Sequence, residues 1–232
     1  MKKYTLWILL LFPGWISAQN RQVIEAKSGD ELTQKISAQI QFLFPEFTDG
    51  DVYFKGNNIK VKLNYNMLLG EMQFIEKNQV MALANAKDVL MIIIGNRKFY
   101  PFNNNEFVEE LTSISKYQLM VKRSGNVIPH SKKGAYGMET STSSITSISS
   151  IGADNRQYNL DVQEKVLITV KYYYYLLGTN GKYILIKNVK TFTKQFPSHR
   201  AQIEAFVKER KIKFDKEDDL KSLLEYCSNL SN

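Results

Sequence analysis

The chain has 232 residues and carries 31 lysines and arginines against 23 aspartates and glutamates, a formal net charge of +8. This length is sufficient for one sizeable domain with its own hydrophobic core. The chain has no run of about five to eight basic residues, which disfavours a nucleic-acid or heparin patch. Cys227 is the only cysteine, so no internal disulfide can stabilise the fold.

The first 18 residues follow the plan of a cleavable secretory signal. Lys2 and Lys3 give a basic start, an apolar stretch runs over residues 6–16, and Ala18 is the small residue that signal cleavage requires. The apolar stretch is about half of the roughly 20 residues that span a bilayer, so we predict cleavage rather than a membrane anchor. The mature protein, residues 19–232, is therefore expected in the periplasm or outside the cell.

An amphipathic helix is predicted at the start of the mature chain, over residues 30–43. Its apolar face consists of Leu32, Ile36, Ile40 and Leu43. Their spacing of three or four residues is helical, and Pro45 ends the segment. A strand through residues 42–47 is the alternative. Residues 46–51 are then predicted to form a loop, because they are rich in turn formers.

From residue 51 onward the apolar residues recur with a period of two, which indicates strands. The alternation over 59–65 resumes in the opposite phase at Met72, so we predict a turn or bulge near Gly70. Further short apolar runs lie at 80–84, 89–94, 99–102 and 117–121. Such runs separated by turn residues predict an antiparallel β-meander. The run 90–94 is apolar on both faces and is predicted to be a central strand covered on both sides.

Residues 130–155 are rich in serine and threonine, and we predict a long mobile loop within a single domain rather than a linker between two domains. Alternation returns over 166–177. The Asn180-Gly181 pair then predicts a tight hairpin turn, with residues 183–189 returning antiparallel.

Two amphipathic helices are predicted at the end of the chain. Pro197 opens the first, whose apolar face carries Ile203 and Phe206, and Asp215 caps the second. The stripe of the second helix consists of Leu220, Leu223, Leu224, Cys227 and Leu230. The predicted fold class is therefore α+β: an antiparallel β-meander sheet with an N-terminal helix and two C-terminal amphipathic helices.

No catalytic or cofactor motif is present in the sequence, and we predict no cofactor and no metal. The two histidines, His130 and His199, do not stand in a metal-ligand spacing. The acidic cluster over 215–219 crowds a helix start, where capping and the helix dipole account for it without calcium.

Four consecutive tyrosines, 172–175, lie on a predicted strand and divide two to each face. One pair is expected to pack in the core. The other pair either displays its rings as a contact surface for a protein or a sugar or is covered by helices. We select Tyr136, Tyr173 and Tyr175 as candidate binding residues, because their rings lie near predicted loops.

The segment Asn64-Tyr65-Asn66-Met67-Leu68-Leu69-Gly70-Glu71-Met72-Gln73-Phe74-Ile75 and the lysine-rich two-helix ending resemble uncharacterised exported proteins of Bacteroidetes-type bacteria. The resemblance extends over about residues 50–225 in general character. It implies an envelope location and brings no activity and no site residues.

Three functions are compatible with these observations. We favour a non-enzymatic binding or accessory protein of the bacterial cell envelope, with an envelope protein or a glycan as its partner. The alternative is an envelope hydrolase in which His130 and Asp154 meet across the loop. The third is a structural subunit whose sheet edge pairs with a partner strand.

Overall fold

The computed structural model describes residues 21–26, 35–103, 105–133, 139–140, 146–147, 164–178 and 181–230. The predicted signal over 1–18 lies outside these ranges. So do most of the predicted loop over 130–155, residues 30–34 of the predicted N-terminal helix and Asn180 of the predicted turn. Among the described residues, no helix has both the length and the apolar character needed to cross a membrane.

Most of the strands come first in the chain, and the two longer helices come last. The first part of the chain forms β1 (Arg21–Ala26), α1 (Ala38–Gln41), β2 (Thr48–Phe54), β3 (Asn58–Asn66), β4 (Glu71–Glu76), β5 (Gln79–Ala82), β6 (Val89–Ile94), β7 (Arg97–Pro101), β8 (Phe107–Ile114) and β9 (Tyr117–Lys133). The second part forms β10 (Glu139–Thr140), β11 (Thr146–Ser147), β12 (Glu164–Leu177), β13 (Tyr183–Leu185), α2 (Val189–Thr193), α3 (Arg200–Arg210) and α4 (Glu217–Leu230). Short 3-10 turns precede β6, at Ala86–Asp88, and α3, at Pro197–His199.

The described strands form one antiparallel sheet in the order β1-β12-β9-β8-β7-β6-β2-β3-β4-β5. Strands β10 and β11 pair with β9, and β13 pairs with β12. Strands β2 to β5 and β6 to β9 are two runs of consecutive neighbours, joined where β2 pairs with β6. The predicted α+β class and antiparallel β-meander are therefore confirmed.

One face of the long β9–β12 pair carries parts of two hydrophobic cores. Side chains opposite each other in an antiparallel pair point to the same face, and alternate residues along a strand share it. Val121 opposite Tyr174 packs in the core beneath α3 and α4, whereas Val127 opposite Ile168 packs in the core with β2, β3 and β6. A polar stretch at Arg123 lies between the two.

The turn between β3 and β4 curls the sheet back on itself. Gly70 has a φ of +72°, which an L side chain rarely adopts, and its carbonyl accepts a 2.7 Å hydrogen bond from the Phe107 amide. The Gly125 amide donates a 2.7 Å bond to the Leu68 carbonyl. These bonds join the turn to β8 and β9, and the predicted turn at Gly70 is confirmed.

Two predictions for the central strands are wrong. The predicted loop over 46–51 overlaps β2, which begins at Thr48 and includes Gly50. A Cβ at Gly50 would lie 2.8 Å from the Ile93 carbonyl oxygen, so this glycine serves close strand packing and not a turn. Strand β6 is central as predicted, but the predicted cover on both sides fails at Leu90, which is 58% exposed.

Helix predictions hold best at the C-terminus. Helices α3 and α4 form in the two predicted segments, and Leu220, Leu223, Leu224 and Cys227 are buried. Helix α4 begins at Glu217, so the predicted cap Asp215 does not directly precede it. Within the predicted range 30–43, Lys35 is helical and, after a short break, Ala38–Gln41 form helix α1, with Ile36 and Ile40 buried. Helix α2 was not predicted. The hairpin of β12 and β13 is confirmed, but β13 ends at Leu185 because Asn188 caps α2.

Candidate functional site

An open groove with a volume of about 540 Å³ lies between the hairpin of β12 and β13 and the segment that joins α3 to α4. This volume is within the range of small-molecule sites, roughly 300–1,000 Å³. The lining residues come from three segments of the chain: Tyr172, Tyr173 and Tyr174; Leu185, Ile186 and Lys187; and Lys213, Phe214 and Asp215. We call it the tyrosine groove.

The strand side of the tyrosine groove is built by β12. Tyr172 and Tyr174 alternate along the strand and point to the face that carries the two cores. Tyr174 is 5% exposed and packs in the core beneath α3 and α4, whereas Tyr172 is 40% exposed. The groove therefore has one tyrosine that is fixed by packing and one whose side chain is partly exposed.

The opposite wall is the turn between α3 and α4. Helix α3 ends at Arg210, and the left-handed backbone of the next residue, Lys211 (φ 54°), reverses the chain. Phe214 packs against the core beneath the helices, and the Lys213 amide donates a 2.7 Å hydrogen bond to Asp219 Oδ2 in the first turn of α4. These contacts hold Lys213 and Asp215, both exposed, at the rim of the groove.

The third side is the end of the hairpin. Ile186 is buried, and its amide donates a 2.8 Å hydrogen bond to the Tyr174 carbonyl. The next residue, Lys187, is exposed, and its amide donates to Thr191 Oγ1 in the capping box of α2. The Lys187 side chain therefore starts from a fixed backbone, and the groove has two lysines and one aspartate at its rim.

A buried cation lies behind Tyr172. The Arg123 guanidinium stands 5.6 Å from the centre of the Tyr172 ring and 5.8 Å from that of Tyr65. Its Nη2 lies 2.6 Å from Glu109 Oε2, and Arg97 Nε lies 3.4 Å from Glu109 Oε1. Burial lowers the pKa of Arg123, but the Glu109 carboxylate together with Tyr65 and Tyr172 outweighs this and raises the pKa overall. Arg123 is therefore charged, and its attraction to the ring faces helps to orient Tyr172.

The Tyr174 hydroxyl is protonated at neutral pH. Burial raises its pKa to about 12, the Glu217 carboxylate adds to the effect, and Arg123 opposes it. A protonated hydroxyl can both donate and accept a hydrogen bond. The groove therefore combines aromatic rings with a neutral hydroxyl, two ammonium groups and a carboxylate.

The candidate residues selected from the sequence do not form one site. Tyr173 lines the tyrosine groove and is 38% exposed. Tyr175 shares with Tyr173 the face of β12 opposite to that of Tyr172 and Tyr174. Its ring centre is 5.0 Å from that of Phe102 and 6.4 Å from that of Tyr183, and Tyr175 does not line the groove. Tyr136 lies outside the described residues.

The residues of the alternative hydrolase site are described only in part. His130 belongs to β9 by its backbone, but its side chain and Asp154 lie outside the described residues. His199 forms the last residue of the 3-10 turn before α3. In the part of the chain that the structure describes, no three histidine, cysteine or acidic side chains are grouped as a metal site would require.

Sequence reasoning missed Lys187 and Lys213 as groove residues and treated Asp215 only as a helix cap. Lysine next to a strand or helix end is a common surface residue, so no local signal marked either one. The three segments meet because α3 and α4 pack back onto the sheet.

Comparisons with known proteins do not assign the site: no protein-family model matches the chain, and no match was found among curated proteins or solved structures.

Proposed function

We propose that this protein is a non-enzymatic binding protein of the bacterial cell envelope and that its tyrosine groove binds an envelope glycan. The observation that supports this most directly is the partly exposed Tyr172 ring in a groove whose rim carries Lys187, Lys213 and Asp215.

The composition of the groove fits a sugar better than an apolar ligand. A sugar ring presents C–H groups on its faces, which pack on an aromatic side chain, and hydroxyls at its edge, which need donors and acceptors. Tyr172 supplies the ring, while the lysine ammonium groups and the Asp215 carboxylate supply a donor set and an acceptor. The two lysines also favour a glycan that carries carboxylates.

The envelope location in this proposal rests on the predicted signal over residues 1–18 and on the resemblance to exported proteins. The basic excess of the chain supports it as well, because envelope lipids and polysaccharides are largely anionic.

The test is a glycan array followed by calorimetric titration with the mature protein, residues 19–232. The array contains neutral and acidic envelope oligosaccharides. We expect an acidic oligosaccharide to bind, Lys213→Ala to weaken binding about tenfold, and Tyr172→Ala to weaken it by about the same factor or more. Both rim lysines are exposed, so their replacement leaves the core intact.

Matched controls are Lys194→Ala and Tyr53→Ala. Lys194 is an exposed lysine that does not line the groove, and Tyr53 lies on β2, which is five strands from β12 in the sheet order. Both variants should bind as the unchanged protein does. The proposal is overturned if no glycan binds, if the groove variants bind normally, or if the bound glycan is hydrolysed.

A further inference from the structure

We propose that two copies of this chain associate through strand β5, whose free edge pairs antiparallel with the same edge of a second copy. This interaction is independent of the tyrosine groove, because seven strands lie between β12 and β5 in the sheet order.

Strand β5 is an open edge in the described structure. It pairs with β4 on one side and is the last strand of the sheet. All four of its residues are exposed, and Val80 and Met81 are 54% and 43% exposed. An exposed edge presents unpaired backbone groups that another strand can satisfy.

One hydrogen bond shows which backbone groups of β5 point away from β4. The Leu83 amide donates a 2.8 Å bond to the Met72 carbonyl on β4, so the backbone groups of Leu83 point into the sheet. Successive residues of an antiparallel strand alternate in direction. Gln79 and Met81 therefore also point towards β4, and the N–H and C=O groups of Val80 and Ala82 point outward.

This arrangement is self-complementary. A twofold axis through Val80, perpendicular to the sheet, sets Val80 opposite Val80 of the second copy. Each valine then donates its N–H to the other's carbonyl, which is the hydrogen-bonded pair of an antiparallel ladder. Both valine side chains fall on the same face of the joined sheet.

The side chains next to the twofold axis also pack against each other across the joint. Val80 lies opposite Ile75 of β4, which is 38% exposed. Pairing of two copies therefore places Ile75, Val80, Val80 and Ile75 in one row across the joint. Adjacent β-branched side chains on neighbouring strands stabilise a sheet.

Charge favours a second copy at this edge. The segment Gln79–Ala82 carries no charged residue, so two basic chains meet there without like charges facing each other.

Sedimentation velocity of residues 19–232 tests the inference from about 1 to about 500 μM, where a small interface associates. We expect a monomer–dimer equilibrium. Val80→Pro removes the outward N–H without removing a bond to β4, and Val80→Lys sets two ammonium groups at the twofold axis. Each should shift the dissociation constant upward by at least about tenfold.

The control is Leu90→Thr, which removes a more exposed apolar side chain on β6 and should leave the dimer unchanged. Circular dichroism checks that each variant is folded. The inference is overturned by a monomer at every concentration, by a dimer that both Val80 variants leave unchanged, or by open-ended polymers, which would indicate unlike edges in contact. Glycan titration of Val80→Lys keeps this outcome separate from that of the groove.

Discussion

Arg123 and Glu109 form an ion pair of 2.6 Å between Nη2 and Oε2, with side chains only 5% and 4% exposed. The pair lies on the inner face of the sheet between the two hydrophobic cores, and Arg97 adds a second cation at 3.4 Å. A buried pair adds little net stability over apolar residues of the same size, but removal of one partner leaves a buried charge. The relationship between the two residues therefore predicts a strongly non-additive mutational response.

The first prediction concerns this pair. Arg123→Met should lower the free energy of unfolding by about 3 kcal/mol, because Glu109 stays buried with only Arg97 nearby. The double variant Arg123→Met/Glu109→Leu should be closer to the unchanged protein than the single variant is. Urea denaturation measures both values.

An exposed ion pair provides the comparison. Arg200 and Glu204 are 64% and 42% exposed, so Arg200→Met should change the free energy of unfolding by less than about 0.5 kcal/mol. Equal losses in the single and double variants at Arg123 would contradict the buried-pair argument.

The second prediction concerns the turn between β3 and β4. Gly70→Ala should destabilise the protein by about 2 kcal/mol for two reasons. The alanine would have to adopt the positive φ of Gly70, and its Cβ would lie 3.2 Å from the Arg123 carbonyl oxygen. Gly95→Ala meets nothing within 4 Å at a similar φ of +59° and should cost about half as much. Thermal and urea denaturation measure the difference, and equal costs would show that the close approach is unimportant.

The third prediction is a pH dependence at Glu71. Burial raises the pKa of Glu71, and the neighbouring Glu106 carboxylate raises it further. Because the folded state binds this proton more tightly, the associated stability is present below the ordinary pKa of 4.5 and is lost as the pH rises through the folded-state value. Glu71→Gln should therefore raise Tm at about pH 7 and have no effect near pH 4.

Glu76→Gln is the control for this experiment. Glu76 lies at the exposed end of the same strand, so its replacement makes the same change in charge outside the buried environment. Its Tm should follow that of the unchanged protein from acidic to neutral pH. A Glu71→Gln protein whose Tm gain is the same at both pH values would refute the linkage.

The fourth prediction concerns the single cysteine. Burial raises the pKa of the Cys227 thiol to about 12, and the thiolate is the reactive form. Maleimide labelling of the native protein should therefore be slow and should accelerate only as denaturant unfolds the chain. The same shift makes stability fall as the pH rises from 9.0 to about 12.

A relocated thiol tests the structural cause. In Ser222→Cys/Cys227→Ala the thiol stands on the exposed side of α4 and should react within the mixing time without denaturant. Rapid native labelling of Cys227 in the unchanged protein would mean that the helix does not cover it.

The sequence by itself determined the elements whose side-chain pattern is local. The period of two in β3 and β12 and the apolar stripe of α4 are properties of neighbouring residues, and each element lies where its pattern predicted. Gly70 was recognised as a turn for the same reason, because the phase of the alternation changes on either side of it.

Strand pairing and long-range packing determined the features that the local sequence pattern did not predict. Thr48–Gly50 has a loop-like composition but becomes a strand because it pairs with β3, and Gly50 also pairs with β6 on the other side. Leu90 belongs to an apolar run, yet the helices pack beneath β9 and β12 and leave its side chain exposed.

The tyrosine groove belongs wholly to the tertiary structure. The sequence marked the tyrosines as candidates but could not place Lys187, Lys213 and Asp215 around Tyr172, since these residues are separated along the chain and carry no shared motif. They meet because α3 and α4 bury their apolar faces on the sheet and carry the turn between them to the edge of β12. The free energy of burying that apolar surface, rather than any local preference, places the charged side chains beside the rings.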